Sequence, residues 1–204
     1  MSRLLGVRLF PGRPLRLVLG LLVGLLGTAS MAKAQEDPAK FELYGGYYYA
    51  RFNVTADVPG IAPSATYNGN GGGGQLEYNV NRWIGVVEDL GGFYATTSVN
   101  GSFAGGVFTY LIGPRVNFRR DRVTPFAQAL FGGVRTTDGI EHSTGTEDNF
   151  AMTAGVGVDF RVSRHVSVRP IQAEYFMMKI PDGLHNRQDN LRIGAGVVLR
   201  LGGK

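Results

Sequence analysis

The stretch "NLRIGAGVVLRL", from Asn190 to Leu201, alternates between two kinds of side chain. One set is apolar throughout, and the other holds asparagine, arginine, glycine and a single valine. A period of two places alternate side chains on opposite faces of a β-strand. The run is 12 residues long. Strands of soluble proteins usually stop after about five or six residues, whereas a tilted strand that crosses a membrane needs about 9–11. The stretch therefore predicts a membrane-crossing strand with one lipid-facing and one polar face.

The same alternation recurs along the chain after residue 40. Residues 150–162 and 108–118 each set an apolar face against one that carries glycine, threonine and charged residues. A soluble, lipocalin-like barrel is the alternative, but glycine beside arginine and aspartate suits the polar interior of a narrow membrane barrel better. We therefore predict an all-β fold, an eight-stranded antiparallel up-and-down transmembrane β-barrel. Its strands are expected at about 40–54, 72–80, 83–96, 103–118, 124–137, 148–162, 166–179 and 189–201.

The predicted connections alternate in length. Three are tight: "NVNR" (79–82), "RRDR" (119–122) and "SRH" (163–165). Four are longer and polar or glycine-rich: 55–68, 97–102, 138–147 and 180–188. Short periplasmic turns and longer external loops are typical of such barrels, so both ends of the barrel chain are expected on the periplasmic side. The four longer loops are then the segments expected to meet any extracellular ligand.

The first 34 residues are predicted to be a secretory signal peptide. Four arginines accompany an apolar run, "LVLGLLVGLLG" (17–27), and "AKA" (32–34) supplies the small residues that a signal peptidase reads. Cleavage is expected at Ala34/Gln35, which divides the chain into a leader, 1–34, and a barrel domain, 35–204. A membrane-anchoring helix is the alternative, but the run is shorter than the ~20 residues that a span needs.

Charge and cysteine content exclude several classes of function. Of the chain's 21 Lys plus Arg, five lie in the leader, which leaves 16 to balance 16 Asp plus Glu. The mature chain is therefore neutral, and no nucleic-acid partner is predicted. The absence of cysteine excludes disulfides, thiol catalysis and thiolate metal sites.

A glycine-rich segment imitates a nucleotide-binding motif. Residues 67–86, "YNGNGGGGQLEYNVNRWIGV", contain the spacing G-x-G-x-x-G at Gly69, Gly71 and Gly74. A phosphate-binding loop needs a helix directly after it, whereas here an alternating strand and a turn follow. No cofactor is therefore predicted, and we expect these glycines to allow close approach of strands or to leave room in the lumen.

Histidine offers little support for catalysis. His142 lies beside Glu141 and Ser143 in a predicted loop, an arrangement that suggests a lipid-modifying esterase. A histidine in such a loop is more often simply solvated, and His165 and His185 are expected to be solvated as well. No histidine pair has zinc-ligand spacing. The sequence thus predicts no catalytic, cofactor or metal site.

Charged residues on the polar faces are the candidate site residues. The interior of an eight-stranded barrel is just wide enough to be filled by side chains, and an unpaired buried charge costs several kcal/mol. We therefore expect a neutralising Arg–carboxylate network that fills the lumen, with a narrow polar channel as the alternative. The predicted members are Glu42, Glu77, Asp89, Arg115, Asp159, Arg161, Arg169, Glu174, Arg192 and Arg200.

Two positions disturb the simple alternation. Glu88 and Asp89 are adjacent, so a regular strand would direct one of the two carboxylates towards lipid. Pro170 shifts the parity of the seventh strand, which predicts a β-bulge there. Aromatic residues near the tight turns are predicted to form an interfacial girdle, which comprises Tyr78, Trp83, Phe118, Phe126 and Phe160.

The leader together with "ELYGGYYYAR", "GPRVNF", "PFAQALFGG" and "NLRIGAGVVLRL" resembles the small outer-membrane β-barrel family of the opacity proteins and of the transmembrane domain of outer membrane protein A. The resemblance covers essentially the whole chain after the leader. It implies an eight-stranded barrel that is inserted into the bacterial outer membrane by the barrel-assembly machinery. Such barrels commonly finish on an aromatic residue, and here Leu201 stands in that place.

These observations lead to a prediction about function. We expect an integral outer-membrane barrel, not an enzyme, with a structural or surface-interaction role. Its expected partners are outer-membrane lipids, the barrel-assembly machinery and a possible extracellular ligand at the long loops. A small porin-like pore for ions or small solutes is the first alternative, and a lipid-modifying outer-membrane enzyme is the second.

Overall fold

A computed structural model describes residues 38–54, 65–98, 102–137, 146–179 and 187–202. These residues lie within one compact unit, Glu36–Lys204. They contain eight strands: β1 (Phe41–Val54), β2 (Ala65–Asn79), β3 (Ile84–Ser98), β4 (Ser102–Asn117), β5 (Val123–Thr137), β6 (Thr146–Arg161), β7 (Val166–Met178) and β8 (Gln188–Leu201).

The strands form a closed barrel in chain order. Each strand pairs antiparallel with the next, and β1 pairs with β8 to close the sheet. The predicted eight-stranded up-and-down barrel is therefore confirmed. Closure leaves no edge strand exposed, which removes the unpaired backbone groups that an open sheet would present. In the described part of the chain, no helix has the length and apolar character needed to cross a membrane.

The two faces of the barrel differ as the alternation predicts. In β8, the inward set includes Asn190 and Arg192, which are buried, whereas Leu191 and Leu199 point outward and are over 40% exposed. Large apolar side chains cover the outer wall on every strand. An outer surface so apolar suits lipid rather than water.

Several strands extend beyond their predicted ends. β2 begins at Ala65, seven residues earlier than the predicted start at 72. The strands take residues 65–68, 97–98, 102, 146–147 and 188 from the predicted loops. The prediction of a long loop at 97–102 was wrong, because Ser98 pairs with Ser102 and only residues 99–101 connect them. Backbone pairing needs no apolar side chain, so polar residues can continue the ladder beyond the membrane.

The irregularity expected at Pro170 is present. The pairing of β7 with β8 shifts between Arg169 and Gln172, and both of these side chains are fully buried. Two residues therefore face outward in succession, and the inward parity changes from odd to even positions. The bulge lets Arg169, Gln172 and Glu174 all enter the lumen.

The pair of adjacent acids is divided between the two faces. β3 is regular at this point, with Asp89 fully buried and Glu88 exposed on the outer wall. Glu88 pairs with Leu76 on one side and Ile112 on the other, both of which are exposed apolar residues. One carboxylate is therefore directed towards lipid.

Some predictions fall outside the described residues. They concern the signal peptide at 1–34, the loop residues Glu141, His142 and Ser143, and His185. The remaining parts of the predicted loops, 55–64, 99–101, 138–145 and 180–186, also lie outside. His165 is described, and it is exposed in the turn between β6 and β7.

Candidate functional site

Three arginines from three different strands occupy the lumen. Arg115 of β4, Arg169 of β7 and Arg192 of β8 are each 1% exposed or less. Guanidinium groups that are removed from water need both opposite charge and a full set of hydrogen-bond acceptors. The contacts of each arginine show how the lumen supplies them.

Arg192 bridges two carboxylates. Its Nη1 and Nη2 donate to Oδ1 and Oδ2 of Asp89 at 2.9 and 3.1 Å, and its Nε donates to Oε2 of Glu174 at 2.6 Å. Asp89 also accepts hydrogen bonds from Gln75 Nε2 at 2.7 Å and from Tyr48 Oη at 3.2 Å. The two-point contact between planar groups fixes the position of both side chains.

Arg169 is held by one carboxylate and two glutamines. Its Nε and Nη2 donate to Oδ1 and Oδ2 of Asp159 at 2.7 and 3.0 Å. Its Nη1 donates to Oε1 of Gln75 at 2.6 Å and to Oε1 of Gln172 at 2.7 Å. Because Gln172 follows the bulge at Pro170, the irregular backbone supplies one of these acceptors.

Arg115 connects the remaining members. Its Nη1 lies 2.7 Å from Oε2 of Glu77, and its Nε donates to Oε1 of Gln128 at 2.8 Å. Its Nη2 donates to Gln75 and Gln128. Gln128 in turn donates from Nε2 to Oε1 of Glu174 at 2.7 Å. Glutamines thus join the three arginine clusters into one hydrogen-bonded network.

A further cluster lies closer to the short turns. Glu42 accepts hydrogen bonds from Arg119 Nη1 at 2.8 Å and from Asn79 Nδ2 at 3.2 Å, and Arg200 Nη2 is 3.7 Å from the same carboxylate. Together, the ion pairs of these clusters join five arginines and five carboxylates, whose formal charges cancel. We name this set the lumen network; its charged members are Glu42, Glu77, Asp89, Arg115, Arg119, Asp159, Arg169, Glu174, Arg192 and Arg200.

Aromatic rings cover the guanidinium planes. Phe126 lies between two arginines, with its centroid 4.2 Å from Cζ of Arg115 and 4.4 Å from Cζ of Arg169. Tyr48 covers Arg192 in the same way at 4.6 Å. The negative face of each ring attracts the guanidinium cation that it covers.

The prediction that Phe126 belongs to the interfacial girdle was wrong. The side chain is only 2% exposed and points into the lumen. Proximity to a turn suggested an interfacial position, but Gln128, two residues on, shares the inward face of β5 and is also buried. Parity along the strand therefore decides the direction of Phe126, and distance from the turn does not.

The other predicted girdle residues lie on the outer wall. Tyr78, Trp83 and Phe160 are 39%, 42% and 44% exposed. Phe118 is partly exposed and packs edge-on against Trp83 at a centroid distance of 6.5 Å. All four lie at the end of the barrel that carries the short turns.

The predicted lumen residues are brought together with one partial exception. Nine of the ten belong to the lumen network. Arg161 is half-buried at the turn end, where its Nη2 donates to the backbone carbonyl of Asp121. It lies two residues after Asp159 on the same face of β6, at the turn end of the lumen.

An aromatic cluster fills the lumen on the loop side of the network. Along β3 and β7, Phe93 and Phe176 follow Asp89 and Glu174 towards the loops. Phe52 packs against both rings at 6.0 and 6.4 Å, and the two rings stack at 6.5 Å. We name Tyr48, Phe52, Phe93 and Phe176 the ring layer; these residues are 5% exposed or less. The lumen therefore holds a charged layer and an apolar layer in series.

The glycine-rich segment of β2 makes room for these rings. A Cβ at Gly73 would lie 2.5 Å from Cε2 of Tyr48, and a Cβ at Gly194 would lie 2.5 Å from Cε1 of the same ring. Gly69 likewise faces Cε2 of Phe52 at 2.5 Å. Of the three glycines in the spacing that imitates a phosphate-binding motif, Gly69 therefore makes room for a ring of this layer.

Sequence reasoning missed the uncharged members of the site. Gln75, Gln128 and Gln172 link the ion pairs, and Tyr48 and Phe126 cover the guanidinium groups. Charge alone distinguishes the predicted members, and these five residues carry none. Gln75 and Gln172 could have been identified from their position, because each lies an even number of residues from an inward-facing charged residue on the same strand. Gln75, for example, lies two residues before Glu77.

The chemistry that this arrangement favours is structural. Each carboxylate of the lumen network contacts at least one arginine, and these contacts occupy lone pairs that general-base catalysis would need. Among the residues that the structure describes, no group of three or more His, Cys, Asp or Glu side chains is arranged to hold a metal ion.

Comparison with known proteins identifies the family of this chain and barrels of similar structure. The chain matches the family described as "Outer membrane protein beta-barrel domain" over residues 20–200. It is similar in structure to Neisserial surface protein A (TM-score 0.60, 15% identity), with 80% of this chain and 98% of that chain covered. It is also similar to the outer membrane protein OprG from Pseudomonas aeruginosa (TM-score 0.52, 11% identity), with 82% and 98% covered. No curated protein matches the sequence significantly.

Proposed function

Because the chain belongs to the family of outer membrane protein beta-barrel domains and is therefore a bacterial outer-membrane protein, we propose for it a structural or surface-interaction role rather than transport. In this role the barrel anchors the chain in the membrane, and its external loops provide the surface that contacts molecules outside the cell. Outer-membrane lipids surround the wall, and the barrel-assembly machinery inserts the chain. A loop ligand, if one binds, meets the segments that follow β1, β3, β5 and β7.

The filled lumen carries this proposal. A conducting pore needs a continuous path of water, but here the path meets two obstacles in series. In the first, the lumen network, the charged side chains are paired with one another, and Arg169 and Arg192 are fully buried. The ring layer then adds four aromatic side chains that offer hydrated ions no polar contact beyond the Tyr48 hydroxyl.

Conductance in planar lipid bilayers tests the proposal. We expect no stable open steps from the purified protein, because both layers must be displaced to admit water. The proposal is wrong if stable steps appear and shrink when Arg115 or Arg192 is replaced by tryptophan. Arg187→Trp at the loop end of the outer wall is the matched control, since it changes the same residue type outside the lumen.

We also propose that the protein is not an enzyme. The paired state of the lumen carboxylates supports this, since a general acid or base must be able to exchange its proton with a substrate. Overexpression followed by mass spectrometry of lipid A tests the lipid-modifying alternative. Unaltered lipid A is expected; an acyl chain lost only when His142 is intact would establish the enzyme.

A further inference from the structure

The turn end of the barrel carries a large excess of positive charge. The three turns, 80–83, 118–122 and 162–165, contain five arginines and one aspartate, and Lys40 lies at the same end. Arg119 is neutralised by Glu42 within the lumen network, so the other charged residues of the turns and Lys40 leave a net charge of +4 at this end. A charge of this density at a membrane surface attracts anions.

Two of these cations are held against outward-facing rings. Cζ of Arg82 lies 4.8 Å from the centroid of Trp83, and Nζ of Lys40 lies 5.1 Å from the centroid of Tyr78. Trp83 and Tyr78 are 42% and 39% exposed on the wall. Because tryptophan and tyrosine on the wall of a membrane protein favour the level of the lipid headgroups, the two cations are held at that level.

The rings form two contacting pairs along this strip of the outer wall. Phe41 of β1 packs against Tyr78 of β2 at 5.4 Å, and Trp83 packs against Phe118 at 6.5 Å, at the adjoining ends of β3 and β4. The backbone N–H of Asn117 donates to the carbonyl of Trp83 at 2.7 Å, which fixes these two ends side by side. We name this strip the turn-end girdle; it consists of Lys40, Phe41, Tyr78, Arg82, Trp83 and Phe118.

We propose that the turn-end girdle binds phospholipids whose headgroup has a net negative charge, in the leaflet that faces the periplasm. Lys40 and Arg82 contact the phosphate, and the rings of Phe41 and Tyr78 contact the first part of the acyl chains. A zwitterionic headgroup brings its own cation towards the same two residues and so gains less. The proposal requires only the outer-membrane location, so it stands whether or not the lumen conducts.

The chain contains a single tryptophan, Trp83, which lies within the proposed site. Its fluorescence is therefore a local probe for brominated lipids, which quench on contact. The purified protein is placed in vesicles of phosphatidylcholine that contain increasing fractions of brominated phosphatidylglycerol, and then in the reciprocal mixture with bromine on the phosphatidylcholine. The two titrations give the relative binding constant of the anionic lipid.

We expect phosphatidylglycerol to be preferred by a factor on the order of five for each cation that contacts it. The preference should fall as salt is raised, because screening weakens the attraction. Equal binding constants for the two lipids in the unmodified protein would overturn the proposal.

Paired variants separate the site from general charge. Lys40→Gln with Arg82→Gln should reduce the preference towards unity, and each single variant should reduce it in part. Lys179→Gln with Arg187→Gln removes the same charge at the loop end and should leave it unchanged. Heat-modifiable gel migration verifies that every variant is folded. An unchanged preference in folded Lys40→Gln/Arg82→Gln protein would also refute the site.

Discussion

Arg192 and Asp89 form a two-point ion pair across the lumen, although their strands are not neighbours in the sheet. The two contacts are 2.9 and 3.1 Å long, and both side chains are fully buried. β1 and β2 lie between β8 and β3 in the barrel. The pair therefore links parts of the wall that backbone hydrogen bonds do not connect directly, and it stiffens the cross-section.

Removal of one member of this pair should destabilise the barrel. Asp89→Asn leaves Nη1 and Nη2 of Arg192 without a charged partner in the interior. We expect a loss of about 3 kcal/mol in the free energy of unfolding. Urea titration in lipid vesicles, followed by Trp83 fluorescence, measures it. Arg192→Met should cost a similar amount. The double variant should cost clearly less than the sum, and strict additivity would show that the pair is not coupled.

The neighbouring acid should behave in the opposite way. Glu88 points to lipid between apolar side chains, so Glu88→Leu should stabilise the barrel in a bilayer by on the order of 1 kcal/mol. The matched variant is Leu90→Glu, which adds a carboxylate on the same wall and should destabilise. Unfolding titrations in vesicles give both values, and a loss of stability in Glu88→Leu would contradict the lipid-facing assignment.

Glycines on the two faces should differ in their tolerance of a side chain. Gly194→Val should cost about 1–3 kcal/mol because its Cβ would lie 2.5 Å from the ring of Tyr48. Gly92→Val is the control, since a Cβ there meets nothing within 4 Å. Tyr48→Ala should restore part of the stability lost in Gly194→Val. If both valine variants unfold alike, the packing role of the inward glycines is wrong.

Phe126 and Phe160 provide a test of inside against outside. Phe126→Ala removes a ring that lies between two buried guanidinium groups and should cost about 3–5 kcal/mol. Phe160→Ala removes an outward ring that is 44% exposed, so lipid can refill the space and the cost should be smaller. The two changes in the free energy of unfolding are compared. Equal losses would indicate that Phe126 lies in the interfacial girdle and not in the lumen.

Much of the fold followed from local pattern. The alternation in β8 predicted which side chains face out, and the acid pair and Pro170 correctly marked a lipid-facing carboxylate and a bulge. Strand ends were less predictable. β2 begins at Ala65 rather than at 72 because its backbone pairing with β1 continues to Val54, through asparagine and glycine at 68–71 that carry no strand signal of their own.

The charged residues of the site could be predicted from the sequence, but the contacts between them could not. Parity shows that Asp89 and Arg192 both face the lumen, yet it cannot show that they meet, since 103 residues separate them along the chain. The sequence also does not distinguish uncharged residues such as Gln75 or Phe126 from others on the inward face. They belong to the site only because they contact arginines of other strands.

By itself, then, the sequence determined a pattern of eight long alternating strands that favours a membrane barrel, because each run has one apolar face and is long enough for a bilayer. Only the tertiary structure decided which arginine meets which carboxylate and that the ring layer fills the lumen beyond them. Those contacts depend on register and closure, which bring together side chains from strands that are distant in the chain and not adjacent in the sheet. The neutrality of the lumen network and its glutamine links are therefore properties of the closed barrel.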